Sequence, residues 1–176
     1  MAARIYQAKA IIGIDIHKQR LEVARNLGAT HTLDASGDAL TDASGDALTD
    51  QFRALCGDQG LMFAVDTTGI PAVIETMIAS LGIRGRAVTI GAPKLGSTVK
   101  VDVLSHLVMG RVYMGSSQGD SNPTEMIPRL IEHHLAGRLP IEQFVTTYNA
   151  ENFKEAIEDM RSGKVIKPVL LWRKTG

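Results

Sequence analysis

Two rhythms of apolar and polar positions alternate along this chain. Ile11-Ile12-Gly13-Ile14 is an unbroken apolar run that stops at the carboxylate of Asp15. Such a run suits a strand buried on both faces, as in a parallel sheet. From Lys18 to Leu27 the spacing becomes helical, with Leu21, Val23, Ala24 and Leu27 near one face and Gly28 as the stop. Met1 to Gln7 reads as the end of a helix, and Thr30 to Leu33 as a short strand. Leu61 to Val65 is the next buried strand, closing at Asp66, and Pro71 opens a helix carrying Val73, Ile74, Met77, Ile78 and Leu81. Gly82 to Gly85 is a turn before a strand at Ala87 to Ile90.

The second half repeats the pattern. A short helix is predicted within Val101 to Met109 and a strand over Arg111 to Met114. A helix from Pro123 or Thr124 carries Met126, Ile127, Leu130, Ile131 and Leu135 and ends at Gly137. Phe144 to Tyr148 reads as a strand, Asn149 as the cap of a helix over Ala150 to Met160, and Ile166 to Trp172 as a last strand. Strands alternating with helices mean parallel pairing with right-handed crossovers, hence an α/β fold.

One segment interrupts the rhythm. Asp34-Ala35-Ser36-Gly37-Asp38-Ala39-Leu40-Thr41 recurs unchanged as residues Asp42 to Thr49. Solenoid repeats are longer and occur at least three times, so this is a local duplication. Its acidic residues lack EF-hand spacing. An insertion in a surface loop costs little closure entropy, so the fold is expected to tolerate it, with the Asp and Ser residues lengthening or restarting the helix that holds Phe52, Leu55 and Cys56.

Composition narrows the function classes. Nineteen basic and nineteen acidic side chains cancel within 176 residues, so no global field favours nucleic acid or an anionic membrane. Cys56 is the sole cysteine, which excludes an internal disulfide and a multi-cysteine zinc site. The apolar runs are too short to span a bilayer, and no signal-peptide core precedes them. A cytoplasmic setting is the default. The five histidines do not form a metal motif: His17 and His31 flank the first helix, His106 is alone, and His133-His134 are adjacent rather than one turn apart. No P-loop, Ser-His-Asp set or paired-carboxylate motif stands out, and Cys56 has no identifiable base partner.

An acid at the carboxyl end of a buried parallel strand sits where open α/β sheets bind ligands. For Asp15 two readings stand side by side, a ribose-binding carboxylate and a cap of the following helix. The context adds to the first. Ile11 to Gly28, Phe63-Ala64-Val65-Asp66-Thr67-Thr68-Gly69, Gly85 to Pro93 and Gly163-Lys164-Val165-Ile166-Lys167-Pro168 together resemble the medium-chain, zinc-type alcohol dehydrogenase family, in the family's order, near its aryl- or secondary-alcohol branch.

The resemblance implies a Rossmann-like parallel sheet with helices on both faces. Residues 1–140 would be a partial dinucleotide-binding domain, and residues 141–176 a strand–helix–strand tail of the catalytic domain. It also implies NAD as cofactor. Asp15 would take the adenosine ribose hydroxyls and disfavour the extra phosphate of NADP. Arg20 would lie near the same ribose, or be an ordinary solvated helix charge. Thr68 and Gly69 would line the cofactor groove, or form a simple turn. Gly91 and Ala92 would meet the nicotinamide carboxamide, with Gly115 and Ser116 in the equivalent place after the next strand. Lys167 would stand where relatives carry an arginine on the pyrophosphate, keeping the charge without the bidentate fork.

Parts of the family pattern are not found. The chain is expected to begin partway through the first helix of the cofactor domain, without the central first strand, the G-x-G-x-x-G turn or the zinc-binding catalytic portion. Zinc is therefore not expected here, and the chain is not expected to be catalytic on its own. In the strand order 3-2-1-4-5-6 the missing strand is central, which would leave sheet fragments with open edges. The expected partner is a second copy of the chain, paired through sheet edges, with the strand at Arg111 to Met114 as one route. The alternative is a non-catalytic α/β module that binds nucleotide weakly or only oligomerises.

Overall fold

The computed structural model describes residues 1–36 and 46–172. In chain order its first elements are α1 (Ala2–Ile5), β1 (Ile12–Asp15), α2 (Lys18–Asn26), β2 (His31–Asp34) and α3 (Asp46–Cys56). Then come β3 (Leu61–Asp66), α4 (Pro71–Ala79), β4 (Leu81–Thr89), α5 (Val103–Met109) and β5 (Val112–Gly115). The last are α6 (Pro123–Leu135), β6 (Val145–Asn149), α7 (Phe153–Arg161) and β7 (Lys167–Leu171). Residues 37–45, which hold most of the duplicated octet and the expected cap of α3, lie outside the described residues.

The chain divides into two compact units, one built from Met1–Ser36 with Pro123–Gly176 and the other from Gly37–Asn122. In the first, β1 pairs in parallel with β2 and β6 in parallel with β7. Gly28 ends α2 with φ 113°, and Ala29 N–H reaches back to the Ala24 carbonyl at 2.9 Å, closing the helix as a C′ glycine does. Leu21, Ala35, Ala156 and Val165 are its buried apolar residues.

The second unit is a parallel three-stranded sheet in the order β3-β4-β5. Pro71 opens α4 at a position where a missing N–H costs nothing. That helix buries Ile74, Met77 and Ile78 against Leu81 and Ala87, with Ala64 and Tyr113 packed alongside. The turn predicted at Gly82 to Gly85 is present, but inside a longer strand. Leu61 pairs with Leu81 and Phe63 with Arg86, so β4 carries extra residues as a bulge, with Arg84 at φ 57°. The extra residues release Arg86 to restart the ladder in register.

The strands are less buried than expected. Phe63 is 77% and Val65 62% exposed, and Ile14 is also exposed. Register explains which side chains these are. Phe63 lies beside Arg86 and Val112, and Val65 beside Val88 and Met114, on the face opposite Ala64, Ala87 and Tyr113. α4 covers the latter face. An apolar run therefore marked strand identity correctly and burial on both faces incorrectly. The tail differs in detail. A 3-10 turn at Ala150–Asn152 precedes α7, and Asn149 makes no side-chain capping bond. α6 carries an interior proline, Pro128. Among the described residues no helix is long and apolar enough to cross a membrane.

Candidate functional site

In the second unit, the loops after β3, β4 and β5 all leave the carboxyl ends of parallel strands. The loop after β3 is organised by Asp66, which is 3% exposed. One carboxylate oxygen accepts the Thr68 N–H at 2.9 Å and the Thr68 hydroxyl at 2.7 Å; the other accepts the Gly69 N–H at 3.1 Å. This is an Asx-type turn, in which the side chain mimics backbone. The Asp66 carbonyl accepts from Ile90 N–H at 2.9 Å and Gly91 N–H at 3.3 Å, which ties the loop after β4 to the loop after β3.

Gly69 and Gly91 serve this junction. Gly69 has φ 66°, and a Cβ there would lie 2.7 Å from the Ala92 carbonyl carbon. A Cβ on Gly91 would lie 2.5 Å from the Thr67 carbonyl carbon. Both positions need glycine because two backbones meet. Their N–H groups are spent on Asp66, so neither amide is free to donate to a ligand. Gly115 differs, for nothing lies within 4 Å of its Cβ position.

An open cleft of about 730 Å³ lies at the ends of β4 and β5. Gly91, Ala92, Gly115 and Ser116 line it, as does Tyr113. The Tyr113 hydroxyl and the Thr89 hydroxyl share a hydrogen bond of 3.1 Å. Thus four of the predicted cofactor-side residues of this unit face one cleft, whereas Thr68 and Gly69 belong to the turn behind it. Asp66 and Tyr113 were not singled out from sequence. The Asp-x-Thr-Gly composition of an Asx turn was the available signal for the first; nothing marked the second.

In the first unit Asp15 ends β1. One carboxylate oxygen accepts the His17 N–H at 2.9 Å, and the other lies 3.8 Å from Arg20 Nη1. Asp15 therefore holds the first turn of α2 and remains partly exposed. Arg20 also donates from Nη2 to the Met160 carbonyl at 3.4 Å, so it is not a freely solvated charge. Lys167 opens β7, exposed, with its N–H on the Phe144 carbonyl at 3.0 Å.

Residues 1–136 match the zinc-binding dehydrogenase family. The chain belongs to that family. It is 31% identical over 174 residues to geraniol dehydrogenase from Castellaniella defragrans, covering 98% of this chain and 44% of that protein. It is 32% identical over 168 residues to alcohol dehydrogenase 6 from Rattus norvegicus, covering 93% of this chain and 42% of the relative. Among solved structures, an alcohol dehydrogenase zinc-binding domain protein from Burkholderia ambifaria aligns with TM-score 0.86 at 39% identity, over 96% of this chain and 43% of that one. Benzyl alcohol dehydrogenase from Acinetobacter calcoaceticus aligns with TM-score 0.87 at 31% identity, over 98% and 45%. The chain spans less than half the length of these relatives, and its fold is the Rossmann-like part of such dehydrogenases.

Among the described residues, no three His, Cys, Asp or Glu side chains gather closely enough to hold an ion. Three of the histidine rings have other partners. His133 Nδ1 accepts from Arg138 Nε at 2.9 Å, His134 Nδ1 lies 2.9 Å from the Leu139 carbonyl, and His31 Nδ1 lies 2.9 Å from the Thr30 hydroxyl.

Proposed function

We propose that this chain is the NAD-binding part of an alcohol dehydrogenase-type oxidoreductase, with Asp15 as the adenosine ribose anchor. The observation that carries the reading is the Asp15 carboxylate at the carboxyl end of a parallel strand. Its oxygens offer about four lone-pair sites, and the two contacts to His17 and Arg20 leave others for hydroxyl donors. These acceptors fit the hydroxyl donors of a ribose. Its negative charge opposes a 2′-phosphate, which favours NAD over NADP. Within the first unit, Arg20 lies on the same carboxylate and Lys167 is a cation suited to a pyrophosphate. Taken by itself, the second unit has a cleft lined by Gly91, Ala92, Gly115 and Ser116, small residues suited to a nicotinamide ring. Thr68 and Gly69 hold the wall of that groove.

When bound, NAD would accept a hydride from an alcohol. The residues named above would bind and orient it. Binding is expected to be weak. Titration of the full chain with NAD, followed by thermal shift and fluorescence of NADH, tests the reading. Saturable binding that falls at least tenfold in Asp15→Asn supports it. An absence of any shift at millimolar NAD would sink it.

A second proposal concerns assembly. β1, β3 and β5 are edge strands of their sheets, and Val103, Leu104, Leu107 and Val108 of α5 are each at least 70% exposed. Contiguous exposed apolar side chains mark association surfaces. Self-association of copies through sheet edges near β5 follows, and the lone Cys56 and neutral charge suit a cytoplasmic protein without disulfides.

A further inference from the structure

Both oxygens of Asp15 are held by residues that are themselves held by the end of α7. The His17 N–H takes one oxygen at 2.9 Å, and Arg20 Nη1 approaches the other at 3.8 Å. Arg20 Nη2 donates to the Met160 carbonyl, in the last turn of α7, at 3.4 Å. The His17 ring lies close against Gly163, just beyond that helix. A Cβ on Gly163 would sit 2.5 Å from Nδ1, 2.6 Å from Cγ and 2.8 Å from Cε1 of the ring. Gly163 is buried with φ 81°, and its own N–H returns to the Met160 carbonyl at 3.3 Å.

We infer that His17, Arg20 and Gly163 form a clasp between α2 and the end of α7 that positions the Asp15 carboxylate. This rests on the reading of Asp15 as the ribose anchor. The physical argument starts with backbone freedom. His17 is the N-cap of α2, with φ −105° and ψ 113°, and no side-chain capping bond fixes it. Its N–H meets Asp15 in a local turn, and the seat of the ring against Gly163 adds a tertiary constraint that holds this turn in place. Glycine leaves space for the ring at a φ few other residues adopt. Arg20 adds a second strut: its guanidinium satisfies a helix C-terminus, where cations are favoured, while keeping one edge on the carboxylate. Gly163 and the Met160 carbonyl sit far from Asp15 in sequence and His17 carries no ligand-binding signature, so only the folded chain assembles them. His17 and Gly163 are positioning residues; neither needs to touch the nucleotide.

The test uses the full chain with two probes, NAD and 2′-deoxy-NAD, which lacks the hydroxyl of the adenosine ribose that a placed carboxylate accepts from. Wild type is expected to prefer NAD about tenfold or more, the worth of one hydrogen bond to a charged acceptor. Gly163→Ala displaces the ring and His17→Ala removes it. In each, the preference is expected to fall towards one, and the residue-17 amide to exchange with solvent at least tenfold faster. A role in stability alone would weaken both probes equally and leave the ratio in place. Should Gly163→Ala not fold, His17→Ala decides by the same two readouts. A folded His17→Ala with the wild-type ratio and wild-type amide protection overturns the clasp while leaving the ribose reading intact. A wild-type ratio of one, unchanged in Asp15→Asn, overturns the ribose reading and the clasp with it.

Discussion

Asp66 shows how much one buried carboxylate does. It accepts from two N–H groups and a hydroxyl through its side chain and from two further N–H groups through its carbonyl. Asp66→Ala leaves the buried Gly69 amide without its acceptor, an unmade bond that costs about 1–3 kcal/mol, while the exposed Thr68 loses its acceptor where water can replace it. Urea unfolding should show that loss, with reduced NAD binding because the loop after β4 hangs on the same residue. A second residue-scale network joins Tyr148, Asp159 and Lys164. Asp159 accepts the Tyr148 hydroxyl at 2.7 Å and the Lys164 ammonium at 2.8 Å. The Lys164 ammonium, then the Tyr148 hydroxyl, hold the Asp159 carboxyl below its ordinary value. Asp159 in turn holds Tyr148 and Lys164 above theirs. The carboxylate's contribution is present above about pH 4 and is lost as pH falls through its depressed value. The lysine and tyrosine contributions are present below about pH 10 and are lost as pH rises through their raised values. Wild type should therefore exceed Asp159→Asn in stability between those limits, and the two should converge at either extreme. Denaturant midpoints taken from pH 2 to 11 check this; a constant difference across the range would contradict it.

Among the elements, α6 breaks a propensity rule. Pro128 sits inside a thirteen-residue helix, where its missing N–H removes the bond to the carbonyl of Thr124 and its ring crowds the preceding turn. Pro128→Ala restores the donor and is expected to stabilise the protein by about 1–3 kcal/mol, read as a higher thermal midpoint. β4 shows a different departure from simple pattern. Its glycine-rich start reads as a turn, yet Leu81 already pairs with Leu61 before the bulge. Backbone pairing absorbed the turn because Leu81 is the anchor of the core, 1% exposed, and could not be released to a loop.

For the whole molecule, the balance of charge and the exposed apolar face of α5 point the same way. With no net charge to keep copies apart, the four exposed aliphatic side chains on α5 favour association. Leu107→Glu should weaken self-association at least tenfold, since it replaces apolar contact with a charge that must stay hydrated. Sedimentation velocity across a concentration series reads this directly. A wild-type chain that stays monomeric at every concentration would refute the assembly proposal.

What the chain determined locally was element type, order and the stops between elements, because periodicity, Gly28 and Pro71 act through the backbone of their own segment. The family was legible for the same reason, since the acid at the end of β1 and the small-residue turns after β3, β4 and β5 lie in short contiguous stretches. Burial was not. Phe63 and Val65 are apolar in any context, and whether a helix covers them depends on packing between segments. The double duty of Arg20, the seat of His17 on Gly163 and the spending of the Gly69 and Gly91 amides on Asp66 were likewise decided by the tertiary structure. Each joins positions remote in sequence or consumes a donor that the sequence leaves open, and only the folded backbone fixes which partner wins.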